Sequence, residues 1–244
     1  MGPMPDTSAP RADRTPGPRE RARARTIADI VSLGRKHLAE QGAAALSLRA
    51  VARDLGVVSS AVYRYVESRD ELLTLLLIDA YNELGDAVDA AVDQVPDDDF
   101  RERFLTLAQA VRRWAVAEPA CYALLFGSPV PGYQAPGERT IEPGTRVVLR
   151  LVGILDAAHR AGALRNAGES GVVSDVLAGN LAAVRDELGL ELPDELLARG
   201  VLVWTSVFGA VSFEVFGQYG PDTFPAREEL FAHQMRTLAD VVGL

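Results

Sequence analysis

The chain has 244 residues, is 48% hydrophobic and 24% charged, and carries a formal net charge of −9. This is soluble-globular composition, long enough to bury a core in one large domain or two modest ones. The longest apolar runs, LLTLLLIDAY and VVLRLVGIL, break before a membrane span is complete, no secretory signal is visible, and Cys121 is the single cysteine. A disulfide framework is thereby excluded, a cytoplasmic location is expected, and Cys121 reads as a buried apolar residue.

In chain order, residues 1–18 (MGPMPDTSAPRADRTPGP) are rich in Pro, Gly and hydroxyl residues and read as a disordered arm. RERARAR at 19–25 leads into a helix marked by Ile27, Ile30, Val31 and Leu38, and Gly42 is its stop. Ser47 is the expected cap of a short helix carrying Leu48, Val51, Ala52 and Leu55, ended by Gly56. A third helix is predicted from about Ser59 to Val66. Ser68-Arg69-Asp70-Glu71 is a capping box that opens a fourth, reaching about Val92.

Beyond PDDD at 96–99, residues 100–117 read as helix and 120–127 as a short one. Residues 128–144, with four prolines and three glycines, read as a loop. Helices are expected over 145–161, 171–188, from Pro193 to about Phe216, and over 226–242. No segment alternates as a half-buried strand does, so the fold class is all-α, with nine or ten helices and no internal repeat.

Charge is unevenly spread. Residues 1–69 carry 12 basic and 7 acidic side chains, while the rest carries 13 and 27. A basic front on an acidic body directs the front toward a polyanion. Within it, Ala52, Gly56 and Val62 stand at relative positions 0, +4 and +10. A helix-turn-helix needs a small residue where its helices cross, a residue tolerant of positive φ in the turn, and an apolar residue pointing back into the junction. With Ala61, Val62 and Val66 turned inward, Ser59, Ser60, Tyr63 and Arg64 fall on the face offered to a major groove. Ser47, Arg49, Tyr65 and Arg69 flank it as candidate DNA contacts.

The segment LSLRAVARDLGVVSSAVYRYVESRDELL closely resembles the DNA-binding domain of TetR-family transcriptional repressors, from about residue 22 into the fourth helix. AEPACYALLFGSPVPGYQAP at 117–136 and WTSVFGAVSFEVFGQY at 204–219 resemble the branch named for a Trp-His-Gly C-terminal motif. Two positions depart from the pattern. Val58 stands where a Ser or Thr cap is common, and Phe208 stands where the branch-naming His would be, although Trp204 and Gly209 are retained.

The resemblance implies residues 19–68 as a helix-turn-helix domain and 69–244 as a ligand-binding and dimerisation domain. It implies a homodimer joined through the last two helices and reading a pseudo-palindromic double-stranded DNA operator. The expected activity is repression relieved by a small lipophilic or aromatic effector, with Trp114, Tyr122, Phe126, Trp204 and Phe208 as candidate pocket residues. A helical interaction or ligand-binding scaffold without DNA binding is the alternative. Enzyme chemistry has no support, for there is no Gly-rich phosphate loop, nucleophile elbow or paired His/Cys constellation. No cofactor is implied. His37, His159 and His233 lack companions at metal-ligand spacing, and no membrane partner is expected.

Overall fold

A computed structural model describes residues 17–165 and 173–244. Expectations for residues 1–16 and for 171–172 lie outside these. Among the described residues there are ten α-helices, one 3-10 turn and no strand.

Helix α1 spans Pro18–Gln41, so Pro18 belongs to the helix and not to the arm. Pro at the first helical position needs no N–H partner, and the Glu20 carboxylate accepts the Gly17 N–H at 2.8 Å. Its buried face is Ile30, Val31, Gly34, His37 and Leu38, the helical spacing of one stripe. After Gly42 a 3-10 turn at Ala43–Ala45 fills a stretch without a sequence signal. Helix α2 spans Leu48–Asp54. Ser47 holds the cap position but makes no side-chain cap bond, a correction to the expected cap.

Helix α3 spans only Ser59–Val62, half the expected length, and residues 63–65 continue as turns. Local hydrogen bonding accounts for the shortening: the Tyr65 N–H returns to Val62 O at 2.9 Å, a tighter closure than an α-helix makes. Helix α4 spans Arg69–Val92. The Ser68 hydroxyl accepts the Glu71 N–H at 3.0 Å, while the Glu71 carboxylate binds Arg139.

Helices α5 (Phe100–Ala117) and α6 (Pro119–Phe126) follow. Helix α7 spans Gly137–Arg160 and begins eight residues before the position expected from sequence. Pro143 lies inside it and deprives one carbonyl of its partner. Thr140, buried on this first stretch, and the Arg139 ion pair hold the extension in place. Helix α8 (Asp175–Leu188) is capped by Ser174 and ends at Gly189. Helices α9 (Asp194–Val215) and α10 (Arg227–Val242) close the chain, with Pro193 just ahead of α9 and Phe216 just after it.

Two apolar cores result. The smaller joins Ile30, Val31, Leu46, Leu48, Val51, Ala52, Val62 and Val66 to Leu72, Leu73 and Leu76 of α4. The larger gathers α5, α6, α7, α9 and α10 around Ala80, Leu84, Val88 and Val92 of the same helix. Each fully buried Leu or Val contributes about 1.5–3 kcal/mol, so α4 is bound tightly at both ends. It is a rod shared by both cores.

Candidate nucleic-acid interface

The turn before α3 has a defined geometry. Gly56 adopts φ 73°, its N–H returns to Arg53 O at 3.1 Å, and the Val57 N–H returns to Ala52 O at 3.0 Å. This is a Schellman stop, and its left-handed residue is glycine for steric reasons. Ala52 and Val62 are each 1% exposed, so the crossing and the inward anchor are where the spacing put them. Val66 is fully buried and fixes the far end.

The eight candidate contact residues divide into groups. Ser60, Tyr63 and Arg64 are exposed around the α3 turn, and Arg49 is exposed near the start of α2. Ser47, Ser59 and Tyr65 are half-buried. The Tyr65 ring packs against the small core and carries the Arg23 guanidinium 5.6 Å above its centroid. Arg69 is turned inward: it donates to Ala43 O at 2.9 Å and to Ala44 O at 3.2 Å. Its guanidinium thus closes the 3-10 turn on to α4. Val58 supplies no side-chain cap to α3.

The elements are braced by pairs that no local pattern reveals. Buried His37 sets Nε2 2.7 Å from the Asp54 carboxylate, tying α1 to the end of α2. That hydrogen bond is the main reason the Asp54 carboxyl is held below its ordinary value. Arg35 of α1 binds Asp79 at 3.0 Å and Glu118 at 3.0 Å, and also Glu83 at 2.5 Å, so one guanidinium spans three elements. The partners lie more than forty residues away in sequence, beyond any window of periodicity.

In the C-terminal body, four of the five candidate pocket aromatics form one chain of ring contacts. Centroids are 5.0 Å apart for Tyr122–Phe126, 4.6 Å for Phe126–Phe208 and 4.2 Å for Trp204–Phe208. Tyr122, fully buried, donates to Phe208 O at 3.1 Å and lies 2.8 Å from the Ser212 hydroxyl. Burial raises its pKa, and the Ser212 bond opposes the rise. Trp114 sits in the same core outside the ring chain, with Nε1 buried and, among the described residues, without a hydrogen-bond partner. Cys121 is buried as expected, and burial pushes its thiol up to about 11.

Arg112 of α5 and Glu214 of α9 form a nearly buried bidentate pair, both contacts 2.7 Å. A signal for it exists in the sequence: Arg112 interrupts the apolar face made by Phe104, Ala108, Val111 and Ala115. A charge on such a face needs a partner.

The chain matches the family model for bacterial regulatory proteins of the tetR family over residues 30–76 and that for a tetracyclin repressor-like C-terminal domain over residues 104–238. It is 47% identical over 227 residues to the HTH-type transcriptional regulator Rv1816 of Mycobacterium tuberculosis, across 93% of this chain and 96% of that one. The crystal structure of protein SCO4313 superposes with a TM-score of 0.74 at 32% identity, across 91% of this chain and 98% of that one. RolR in complex with resorcinol has the same fold, with a TM-score of 0.51 at 16% identity and 89% of each chain covered.

Proposed function

Because the chain belongs to the tetR family of bacterial regulatory proteins, DNA-binding transcriptional regulators, we propose that it is a homodimeric repressor released by a small aromatic or lipophilic effector. The observation that carries the DNA-binding half is the exposed set Ser60, Tyr63 and Arg64 on a turn held by buried Ala52, Val62 and Val66. Arg64 has the donors to read a guanine edge or hold a phosphate, and Tyr63 has a hydroxyl for the backbone. Arg49 and the Arg-rich start of α1 add phosphate contacts. Like other regulators of this family, it meets its operator in the cytoplasm.

Dimerisation is supported by the surface of α9. This helix is long and apolar enough to cross a membrane, yet only 28% of its apolar stretch is buried. Its inner face, Val203, Val207 and Val211, fills the protomer core, while Val201, Leu202 and Phe213 stay about half exposed. Between α9 and α10 runs a groove of about 540 Å³ lined by Gly209, Phe213, Tyr219 and Leu238. A Cβ at Gly209 meets no atom within 4 Å, so the glycine leaves room for a second helix. A second copy covering this face sets two recognition turns on a two-fold axis, which suits a pseudo-palindrome.

The effector half rests on the ring chain and on the buried Trp114 donor. A flat apolar ligand replaces ring–ring contacts in kind, and a ligand acceptor atom is the partner that Nε1 lacks among the described residues. RolR, of the same fold, binds the aromatic resorcinol. Release follows if the ligand prefers a conformer whose recognition turns no longer match the groove spacing.

The test is binding to the duplex upstream of the protein's own gene, against a shuffled duplex, over a salt series. Specific binding with a steep salt slope that is lost in Arg64→Ala and Tyr63→Ala supports the reading. Equal binding to both duplexes, and to duplexes drawn from a random-sequence pool, overturns it.

A further inference from the structure

The C-terminal body grips the first turn of α4 at two points. Arg139, at the start of α7, donates from Nη1 and Nη2 to the two oxygens of Glu71 at 2.7 and 2.9 Å. This paired geometry fixes direction as well as distance. One turn further along α4, the Thr74 hydroxyl lies 2.9 Å from the Tyr133 hydroxyl. Thr74 gives its proton to Asp70 O at 3.0 Å, so Tyr133 is the donor. Thr74 is buried, and Tyr133 packs against the small core with Val130.

The other side of the same turn belongs to the DNA-binding unit. Ser68 caps Glu71, Arg69 is tied to the 3-10 turn, and fully buried Val66 leads back to Arg64 and Tyr63. The chain between grip and reading face is anchored at Ser68, Arg69 and Val66, so the direction of α4's first turn sets the direction of Tyr63 and Arg64. Both terminal nitrogens of Arg139 are already engaged by Glu71, which argues against a phosphate as the partner of that guanidinium.

We propose that Arg139, outside the DNA-binding unit, is a positioning residue for operator reading: through Glu71, with Tyr133 through Thr74, it sets the angle at which Tyr63 and Arg64 meet the major groove. The inference rests on the DNA-binding reading above. It assigns to the start of α7 and the segment before it a part in sequence discrimination without base contact.

The experiment uses the full chain and a duplex it selects from a random-sequence pool, with a scrambled duplex as reference, over a salt series. Arg139→Ala and Glu71→Gln each weaken binding to the selected duplex by about fivefold, the effect of about 1 kcal/mol. Binding to the scrambled duplex moves by less than about twofold, since phosphate contacts carry it. The exchanged pair Arg139→Glu/Glu71→Arg recovers part of the loss. Tyr133→Phe, which changes no charge and leaves the ring in place, shifts discrimination in the same direction by a smaller factor.

If Arg139→Ala weakens both duplexes alike and lowers the salt slope by about 0.9, Arg139 is a phosphate contact and the inference is wrong. Tightening of both duplexes by Glu71→Gln overturns it as well. Unchanged discrimination in all four variants, with a wild type that does discriminate, overturns the inference alone. A wild type that selects no duplex overturns the DNA-binding reading and this inference together.

Discussion

The surface around α3 and the outer face of α9 are both left uncovered by the protomer, but with different chemistry. Around α3 the exposed Val57 and Val58 stand among hydroxyls and guanidiniums, and water solvates those polar groups until phosphates and base edges replace it. Along α9 the uncovered groups are Val201, Leu202, Phe213 and, just beyond its end, Phe216, which water solvates badly. The first surface can wait for its partner, whereas the second needs one at once. On the proposed function, this contrast separates a stable dimer from reversible DNA reading: obligate contacts are apolar, and releasable contacts are polar and salt-sensitive.

The largest expected effect comes from charging the apolar face. Phe213→Asp should convert the proposed dimer to monomer in sedimentation or light scattering, since burying an unpaired carboxylate at an interface centre costs more than about 5 kcal/mol. Specific DNA affinity should fall with it, by about a hundredfold. A variant that stays dimeric would place the interface elsewhere and remove one side of the comparison. Next is the pair that holds α9 to α5. Glu214→Ala leaves Arg112 buried without its carboxylate and should lower unfolding stability by about 3–5 kcal/mol in urea titration. Replacing both residues with apolar ones should restore most of that loss.

The polar surface should respond more modestly. Arg64→Ala should cost about 1–3 kcal/mol of operator affinity while dimerisation is unchanged. Loss of dimer in that variant would blur the division between the two surfaces.

The His37–Asp54 tie offers a pH test of the polar side's support. The Asp54 carboxyl is held low in the folded protein, so its contribution is present above the ordinary value of 3.8 and fades as pH falls through the folded value. The melting-temperature difference between wild type and Asp54→Asn should therefore be visible at neutral pH and shrink below pH 3.8. A difference that grows on acidification would contradict the assignment.

The smallest effect compares two helical glycines. Neither Gly153 nor Gly209 has an atom within 4 Å of a built Cβ. Gly153→Ala, at an exposed position of α7, should stabilise the protein by about 1 kcal/mol. Gly209→Ala should gain the same helix propensity yet weaken the dimer, which a dilution series would reveal.

Most of the helices, the Gly56 turn and the exposed Tyr63–Arg64 face follow from local rules: periodicity, a left-handed turn residue and a cap. Where local rules fail, a distant partner has changed the local outcome. Helix α7 starts at Gly137 despite Pro143 because Arg139 meets Glu71. Arg69, expected as a DNA contact, donates to the carbonyls of Ala43 and Ala44, and the Ser47 side chain stands at its cap position without a cap bond. Four of the five aromatics expected to line a pocket lie together. Their close ring contacts, and the solitary Trp114 donor, are not legible in the sequence.

The amino-acid sequence by itself determined the all-α class, the order of the helices and the helix-turn-helix, because these depend on residues within one or two turns of each other. Tertiary structure alone decided that α4 serves both cores, that Arg35, Arg112 and Arg139 join elements across the chain, and that α9 keeps an apolar face outward. Those outcomes depend on which surfaces meet in space. Local propensity contains no term for a partner sixty or a hundred residues away.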